Sequence, residues 1–403
     1  MSATSALDTV IARIREGAVE RERERVLPDQ PISWLKGAGF PAFRVPTESG
    51  GTGASIVELV EALIDLAAAD PNVPQALRGH IAFVEDRLWA PDGPDRDRWL
   101  GRFAAGEVVG NAVTEIGNVT LGSTQTRLEP DGDAWAITGR KFYTTGSIFA
   151  DWIDASAVIP DGTEVAALVR RHQQGVTVSD DWDGFGQRLT GSGTTVFEGA
   201  RVDSSDVFDF TTRFPYQTAL YQLVLVAVLA GIAQEVERDA AHELRTRARA
   251  YSHGAASESR NDPQLLEAIG RLSATAAATR AITLDAARVV GYAAAARGAD
   301  AARIAEHKRL SELAVARAQV SVSELTLRQT AALFDVLGAS ATSSARGLDR
   351  HWRNARTVAS HNPVAFKARI IGDAVVNDAE PPYEWYVGVP AKPAPARADV
   401  DAS

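Results

Sequence analysis

The chain of 403 residues contains no cysteine and only one methionine. The absence of cysteine excludes a disulfide framework, thiolate metal sites, iron–sulfur clusters and a cysteine nucleophile. Positive charge is also in short supply, because 42 Lys and Arg face 52 Asp and Glu and leave a net charge of −10. That sign disfavours binding of nucleic acid or anionic lipid through a basic surface. A small molecule is therefore the expected ligand.

Targeting signals and long apolar runs are lacking as well. The N-terminal segment intersperses Glu and Arg with apolar residues, unlike the continuous apolar core of a signal peptide. The longest apolar stretch, Leu223 to Ala233, is shorter than the ~20 residues that span a bilayer. We therefore expect a cytoplasmic protein that associates with neither membranes nor nucleic acid.

Common catalytic signatures are missing from the sequence. The seven histidines form no HExxH or comparable metal-binding spacing, so no metal site is expected. The sequence has no GxGxxG that follows a strand, no GxxxxGKS/T and no GxSxG. The sequence therefore does not support a nicotinamide-binding Rossmann domain, a nucleotide hydrolase or an α/β-hydrolase.

The sequence contains three regions that differ in residue composition and hydrophobic spacing, and together they predict an α+β protein. Residues 1–105 repeat apolar positions at helical spacing and predict an N-terminal helical domain. Residues 106–215 consist of short β-branched and aromatic segments separated by the turns Asp131-Gly132 and Asp161-Gly162, which predict hairpins in a central β domain. The Ala-rich residues 216–390 predict a helical bundle. The Pro/Ala-rich residues 391–403 are expected to be a disordered tail.

Three segments are dense in polar groups suited to ligand binding: residues 112–123, 139–147 and 351–363. Glycines let a backbone approach a ligand closely, and hydroxyl groups donate to carbonyl or phosphate oxygens. Each segment also has an ordinary structural interpretation, as a loop, a β-branched strand with a turn, and a helix end with a capping histidine. The residues by themselves leave both interpretations open.

The order of these regions and segments resembles the acyl-CoA dehydrogenase superfamily over nearly the whole chain. Thr114-Glu115 followed by Gly122-Ser123 resembles its TEPxxGSD flavin loop, with additional residues between the two halves. Gly139–Ser147 resembles its GxKxWITNG strand, Phe334–Ala339 its QxxGGxG turn and Trp352–Arg356 its YRDARI helix. The resemblance implies an N-terminal helical domain, a central β domain and a C-terminal four-helix bundle, with a flavin between the last two.

Departures from the superfamily pattern indicate a branch. Where a dehydrogenase carries its catalytic glutamate, this sequence has Ser360-His361-Asn362-Pro363, and Glu235 or Glu237 would be the alternative carboxylates. Residues 351–377 instead resemble the flavin-dependent monooxygenases typified by dibenzothiophene monooxygenase. Those enzymes take reduced flavin from a separate NAD(P)H flavin reductase and use O2, through a flavin hydroperoxide, to oxygenate a small substrate at sulfur, nitrogen or carbon.

The monooxygenase resemblance implies roles for particular residues. His361 and Ser147 would stabilise the hydroperoxide and His80 would position it or the substrate, although His80 equally fits a buried core histidine. Reduced FMN is the expected cofactor and FAD the alternative. The residues expected to bind the cofactor are Thr114, Asn118, Gly122, Ser123, Tyr143, Thr144, Thr145, Ser147, Arg249, Ala339 and Ser340.

The sequence leaves two alternatives to the monooxygenase open, and it also predicts an oligomer. An FAD-dependent acyl-CoA dehydrogenase keeps the fold with other chemistry, and a catalytically silent scaffold keeps the fold alone. A homotetramer is expected from the long Ala-rich helices, with the turn near Gly338 reaching a neighbouring subunit's flavin, as the resemblance implies. Six aromatic residues are candidates for lining a substrate pocket: Phe149, Trp152, Trp182, Phe185, Tyr216 and Tyr221.

Overall fold

The computed structural model describes residues 3–117, 123–210 and 213–384, and the expected tail at 391–403 lies outside these ranges. Within them the α-helices are α1 Ala3–Glu16, α2 Ala18–Glu24, α3 Asp29–Gly37, α4 Ile56–Ala69, α5 Asn72–Ala76, α6 Arg78–Trp89, α7 Pro94–Ala104, α8 Gln217–Thr246, α9 Pro263–Ala294, α10 Ala301–Leu337, α11 Arg350–Ala359 and α12 Val364–Asn377. The strands are β1 Val109–Ala112, β2 Arg127–Asp131, β3 Ala134–Phe142, β4 Trp152–Val158, β5 Glu164–Arg170, β6 Val176–Val178, β7 Thr194–Asp203 and β8 Val207–Asp209. Helices thus precede and follow the strands, as the sequence predicts.

Helix α4 shows how local sequence sets an element. The Ser55 hydroxyl accepts from the Glu58 amide at 3.2 Å, and the Glu58 carboxylate accepts from the Ser55 amide at 2.7 Å, which closes a capping box. Leu59 and Leu63, four residues apart on one face, are both buried. That face packs against α8 and α9, so the N-terminal helices and the bundle share one hydrophobic core.

Helices α8, α9 and α10 form the centre of the bundle, and α12 packs on α10. Helix α8 is long and apolar enough to cross a membrane, yet 89% of its most apolar window is buried inside the protein. A polar bridge fixes the three helices in register, because Gln329 Nε2 donates to the carbonyls of Ala233 at 3.0 Å and Leu272 at 2.9 Å. The apolar surface of α8 is therefore used by the protein's own core.

The strands of the described ranges form one mixed sheet, in the order β6-β7-β3-β2-β4-β5-β8, with β1 paired to β4 in parallel. The predicted turn at Asp131-Gly132 joins the antiparallel strands β2 and β3, and the turn at Asp161-Gly162 joins β4 and β5. Both hairpin predictions are confirmed. Strand β3 runs through the middle of the sheet between β2 and β7, which carries its C-terminal end towards the helices.

Two glycines bring that end of β3 against α5 and β1. Gly146 has φ +79°, and a Cβ atom there would lie 1.9 Å from the Ala76 carbonyl oxygen. A Cβ atom on Gly110 would lie 2.4 Å from the Ser147 Cα. These approaches require residues without side chains, and they place the turn after β3 at the junction of the N-terminal helices and the β domain.

We expect Gly146→Ala to destabilise the protein more than Gly162→Ala. Both glycines have positive φ, at +79° and +91°, so both substitutions carry the backbone cost of ~1 kcal/mol or more. Only Gly146 adds a backbone clash, because nothing lies within 4 Å of a Cβ on Gly162. Thermal unfolding of the two variants measures the difference, and equal losses of Tm would contradict the close approach.

Candidate active site

The loop that enters the β domain is fixed to β3 by a buried ion pair. Lys141 Nζ lies 2.7 Å from Glu115 Oε1 and also donates to Ser156 Oγ at 2.9 Å. Burial opposes ionisation of Glu115, but hydrogen bonds from Lys141 and Thr126 hold the pKa of this carboxyl below its ordinary value. Glu115 therefore anchors the loop, and the Thr114 carbonyl next to it accepts from the Phe142 amide at 3.0 Å.

The predicted cofactor residues of this loop are only partly described. Asn118 and Gly122 lie outside the described residues. Ser123, the first described residue after residues 118–122, is exposed. The flavin-contacting role of Thr114, Asn118, Gly122 and Ser123 stays a prediction.

Four oxygens after β3 form a hydrogen-bonded chain with a fixed direction. Thr190 Oγ1 must donate to the Gln187 carbonyl, 3.0 Å away, because a carbonyl only accepts. Ser192 Oγ, 2.8 Å from Thr190 Oγ1, must then donate to it. Thr145 Oγ1, 2.7 Å from Ser192 Oγ, must in turn donate to Ser192. Thr145 has therefore used its only hydroxyl proton, and its oxygen can offer a ligand only an acceptor.

The hydroxyl of Thr144, next to Thr145, both donates and accepts a hydrogen bond inside the protein. It donates to the Gly193 carbonyl at 3.0 Å and accepts from Thr195 Oγ1 at 2.8 Å, and the side chain is fully buried. Both functions of the hydroxyl are thus taken up inside the β domain. This placement differs from the cofactor contact predicted for Thr144, because a side chain at the end of β3 can face either way and only the fold decides which.

Two residues beside the hydroxyl chain have strained backbones. Tyr143 has φ +63° with its side chain 46% exposed, and Gln187 has φ +51° with only 3% exposed. Left-handed conformations of such residues cost ~1–3 kcal/mol and concentrate at binding sites. Among the described residues, neither the oxygen nor the nitrogen of the Gln187 side-chain amide has a hydrogen-bond partner. This amide is therefore a candidate ligand-binding group.

Ser147 lies in the turn after β3 as predicted. It is fully buried, and its hydroxyl donates to the Asn111 carbonyl at 3.1 Å. That bond fixes the proton of Ser147 towards β1 and leaves the oxygen's lone pairs as acceptors.

His361 lies at the solvent-exposed turn between α11 and α12, where its nearest charged partner is Arg78 at the start of α6. Arg78 Nη2 lies 3.0 Å from His361 Nε2. Arginine only donates, so Nε2 accepts and the neutral ring carries its proton on Nδ1. Crowding by protein atoms and the Arg78 cation lower the pKa of His361 from 6.5 to about 3. The ring is therefore neutral at neutral pH, and its one N–H is on Nδ1, where it makes a long contact of 3.4 Å with Asn362 Oδ1.

His80 lies two residues after Arg78 on α6, and its ring binds backbone groups of Pro41 and β1. Its Nε2 lies 2.9 Å from the Pro41 carbonyl, its Nδ1 accepts from the Val109 amide at 3.3 Å, and its ring packs edge-on against Phe103. Burial lowers the pKa of His80 to about 4. Both ring nitrogens are engaged by backbone groups, so this geometry corresponds to the core-histidine interpretation and differs from the catalytic one.

A second polar region surrounds the turn near Gly338. Arg249 and Ser340 line a cavity of about 160 Å³ together with Arg247 and Arg346, and Ala339 lies in the same turn. Arg247 Nη2 donates to the Leu337 carbonyl at 2.6 Å, but its Nη1 is buried with no partner among the described residues. Glu243 also lines the cavity and pairs with Arg346, so Arg247 and Arg249 supply the positive charge that remains for a phosphate.

This cavity is far from the first site within one subunit. Tyr221, whose ring lies 5.1 Å from the Arg78 guanidinium, is near the start of α8, and Thr246, which lines the cavity, is at its end. At 1.5 Å per residue the two lie roughly 37 Å apart. One flavin mononucleotide does not reach from one site to the other.

The carboxylates considered for a dehydrogenase lie elsewhere. Glu235 is buried and paired with Arg238 at 2.6 Å and Arg15 at 3.4 Å. Its place on α8 is roughly 21 Å beyond Tyr221. Glu237 lies two residues further along the same helix. In the described part of the chain, no carboxylate contacts Ser147, Thr145 or His361.

Of the six predicted pocket aromatics, Trp152 and Tyr216 belong to the core. Tyr221 packs on Arg78, Trp182 contacts Tyr143, and Phe185 stacks on Trp352 with ring centroids 5.7 Å apart. Sequence reasoning missed Arg78 and Gln187. An arginine inside the apolar segment ALRGHIAF was the available signal for Arg78, whereas no sequence signal marked Gln187.

Known proteins share this architecture. The family model of the acyl-CoA dehydrogenase C-terminal domain matches residues 223–366. Dibenzothiophene monooxygenase of Mycolicibacterium goodii is 28% identical over 381 residues, 90% of this chain and 91% of the relative. The probable FMNH2-dependent monooxygenase SfnC of Pseudomonas putida is 27% identical over 386 residues, 92% of this chain and 93% of the relative.

The crystal structure of FMN-bound TdsC from Paenibacillus sp. A11-2 superposes with a TM-score of 0.85 at 27% identity, covering 94% of this chain and 98% of that one. These matches and the element order define the class of the protein, which has the acyl-CoA dehydrogenase fold. The chain belongs to the flavin-dependent monooxygenase branch of the acyl-CoA dehydrogenase superfamily. The resemblance read from its sequence is confirmed.

We expect the free energy of unfolding to fall as the pH falls from about 6.5 to about 4. In this window the unfolded chain takes up a proton at His80 that the folded protein, with the pKa of His80 at about 4, does not. Burial lowers the pKa of His351 to about 4 as well, and it contributes in the same direction.

His80→Gln should lower stability at neutral pH and flatten the decline, because glutamine does not titrate. Thermal unfolding across this pH range measures the effect, with exposed His253→Gln as the matched control. An unchanged profile in His80→Gln would show that the buried ring is not the titrating group.

Proposed function

We propose that the protein is the oxygenase component of a two-component flavin-dependent monooxygenase that uses reduced FMN and O2 to oxygenate a small organic substrate. When bound, reduced FMN supplies two electrons to O2, so that one oxygen atom enters the substrate at sulfur, nitrogen or carbon and the other leaves as water. SfnC is described as FMNH2-dependent and TdsC is described with FMN bound, which favours FMN over FAD.

The observation that carries this proposal is the neutral His361 at the position where a dehydrogenase has its catalytic carboxylate. Proton abstraction next to a thioester needs a base, and the His361 Nε2 lone pair already accepts from Arg78 at 3.0 Å. A neutral imidazole that holds its proton on Nδ1 suits a different task, the donation of a hydrogen bond to an oxygen atom.

The end of β3 fits a reduced flavin. A reduced isoalloxazine ring carries a proton on N5 that the oxidised ring lacks, and Thr145 Oγ1 can only accept, because the chain through Ser192 and Thr190 takes its proton. The unpartnered amide of Gln187, with one acceptor and two donor N–H groups, matches the alternating donors and acceptors of the flavin's pyrimidine edge. Tyr143, Thr145, Ser147 and Gln187 would hold the ring.

His361→Ala should lower oxygen transfer by ~10² or more, because one positioned donor is lost from the reacting site. His172→Ala, an exposed histidine on the β domain, is the control and should keep the activity. The experiment supplies chemically reduced FMN to the protein in air-saturated buffer and measures product from a panel of thiophenes, amines and phenols. Product formation by His361→Ala at the rate of the unaltered protein would remove this residue from the mechanism.

Colour separates the proposal from its alternative. A protein that is colourless as purified and binds added reduced FMN fits the monooxygenase. A yellow protein with tightly bound FAD that oxidises acyl-CoA thioesters, with a carboxylate as the base and FAD as the electron acceptor, would contradict it. We also infer that a separate NAD(P)H flavin reductase supplies the reduced flavin and that both act in the cytoplasm.

A homotetramer would bring the two polar regions together. Tyr221, which packs on Arg78, and Thr246, which lines the cavity of Arg247, Arg249 and Ser340, lie roughly 37 Å apart along α8. A neighbouring subunit's flavin that places its phosphate in this cavity would satisfy both regions, including the unpartnered Arg247 Nη1. Assembly through the bundle would then be required for cofactor binding.

Light scattering with fluorescence titration of reduced FMN during dilution tests this assembly. We expect FMN affinity to be lost together with the tetramer, and Arg249→Ala to weaken FMN binding without changing the mass. A monomer with undiminished affinity would contradict the shared site.

A further inference from the structure

Arg78 is a buried cation that forms an ion pair with no carboxylate of the described residues. Its side chain lies at the start of α6 and the residue is only 7% exposed. A guanidinium has five N–H groups, but in the described part of the chain Arg78 makes one hydrogen bond, to His361 Nε2 at 3.0 Å. Its Nε is shielded from solvent and has no partner there. Most of its donors are therefore unused by the protein.

Other arginines with largely buried side chains are paired with carboxylates. Arg213 binds Asp154 through two bonds of 2.7 Å, Arg44 lies 2.7 Å from Glu85, and Arg350 lies 2.6 Å from Asp239. An unpaired buried charge costs several kcal/mol, which is why such pairing is the rule. No carboxylate of the described residues pairs with Arg78, so residues 3–117, 123–210 and 213–384 supply no counter-charge for it.

The position of Arg78 indicates where that counter-charge comes from. The guanidinium lies over the face of Tyr221 on α8, with its carbon 5.1 Å from the ring centroid, and it reaches the exposed His361 turn. A molecule that contacts His361 from the open side therefore comes within reach of the unused N–H groups. In the proposed tetramer, the phosphate of the flavin would lie in the separate cavity of Arg247 and Arg249.

We propose that Arg78 is the anchor for an oxyanion of the substrate, a carboxylate or sulfinate group on a small organic molecule. A guanidinium fork binds such planar or pyramidal oxyanions through two charge-assisted hydrogen bonds. The bound oxyanion compensates the buried charge, and Tyr221 offers its ring to the apolar part of the molecule. This inference deepens the proposed function by naming the substrate class, and it rests on His361 belonging to the reacting site.

Isothermal titration calorimetry of the full chain with benzoate, benzenesulfinate and neutral benzamide tests the anchor. We expect the two anions to bind at millimolar concentration and benzamide, which has the same shape, to bind much more weakly. Arg78→Met should weaken anion binding roughly 10- to 100-fold, the effect of losing hydrogen bonds to a charged group. Arg78→Lys should recover only part of it, and surface Arg201→Met, the control, should bind as the unaltered protein does.

Stability separates an anchor from a structural arginine. Methionine has a similar length and no charge, so Arg78→Met without ligand should be at least as stable as the unaltered protein. A structural arginine would instead lower the Tm when replaced. By NMR titration the pKa of His361 should rise in Arg78→Met, because the neighbouring cation that lowers it is gone.

Several outcomes overturn the anchor: equal binding of benzoate and benzamide, no binding of either anion by the unaltered protein, unchanged anion binding in Arg78→Met, or loss of FMN binding in place of anion binding. The proposed function fails separately, when the unaltered protein forms no oxygenated product from the panel of thiophenes, amines and phenols with reduced FMN and O2. Calorimetry needs no flavin, so the two failures are distinguishable. The surface variant Arg201→Met should form product with reduced FMN and bind the anions as the unaltered protein does.

Discussion

The close approach of the β3 turn to α5 and β1 is the constraint on which the site depends. Gly146 and Gly110 allow backbone to pack where any side chain would collide with the Ala76 carbonyl or with Ser147. The contact fixes one end of the sheet against the N-terminal helices, and α5 and α6 in turn contact α8 of the bundle. Three regions distant in sequence thereby present polar side chains to one another.

The buried polar groups of the site fall into two sets, those with hydrogen-bond partners inside the protein and those without partners among the described residues. The Lys141–Glu115 pair and Thr144 have their partners inside the protein, and their role is to hold β3 and its loop in place. Gln187 and Arg78 are nearly as buried and have donors without partners among the described residues. Burial without a partner is costly, so such groups are retained where a ligand completes them.

The same division separates the two histidines. His80 and His361 were both expected at the reacting site, and both have lowered pKa values because the protein disfavours their charged forms. Both nitrogens of His80 bind backbone groups, whereas His361 has Nε2 bound to the Arg78 side chain and Nδ1 3.4 Å from Asn362 Oδ1, and it lies at an exposed turn. The lowered pKa is therefore common to both histidines, and their partners and exposure distinguish them.

The sequence by itself determined the order of helices, strands and helices, the hairpins at Asp131-Gly132 and Asp161-Gly162, and the replacement of a carboxylate by His361. These features follow from local periodicity, turn chemistry and motif spacing, which are all read within short windows of the chain. The tertiary structure alone decided which polar groups have partners. Arg78 and His361 are 283 positions apart, and the proton direction at Thr145 depends on a carbonyl of residue 187. Such contacts form between segments brought together only by packing, so no local pattern records them.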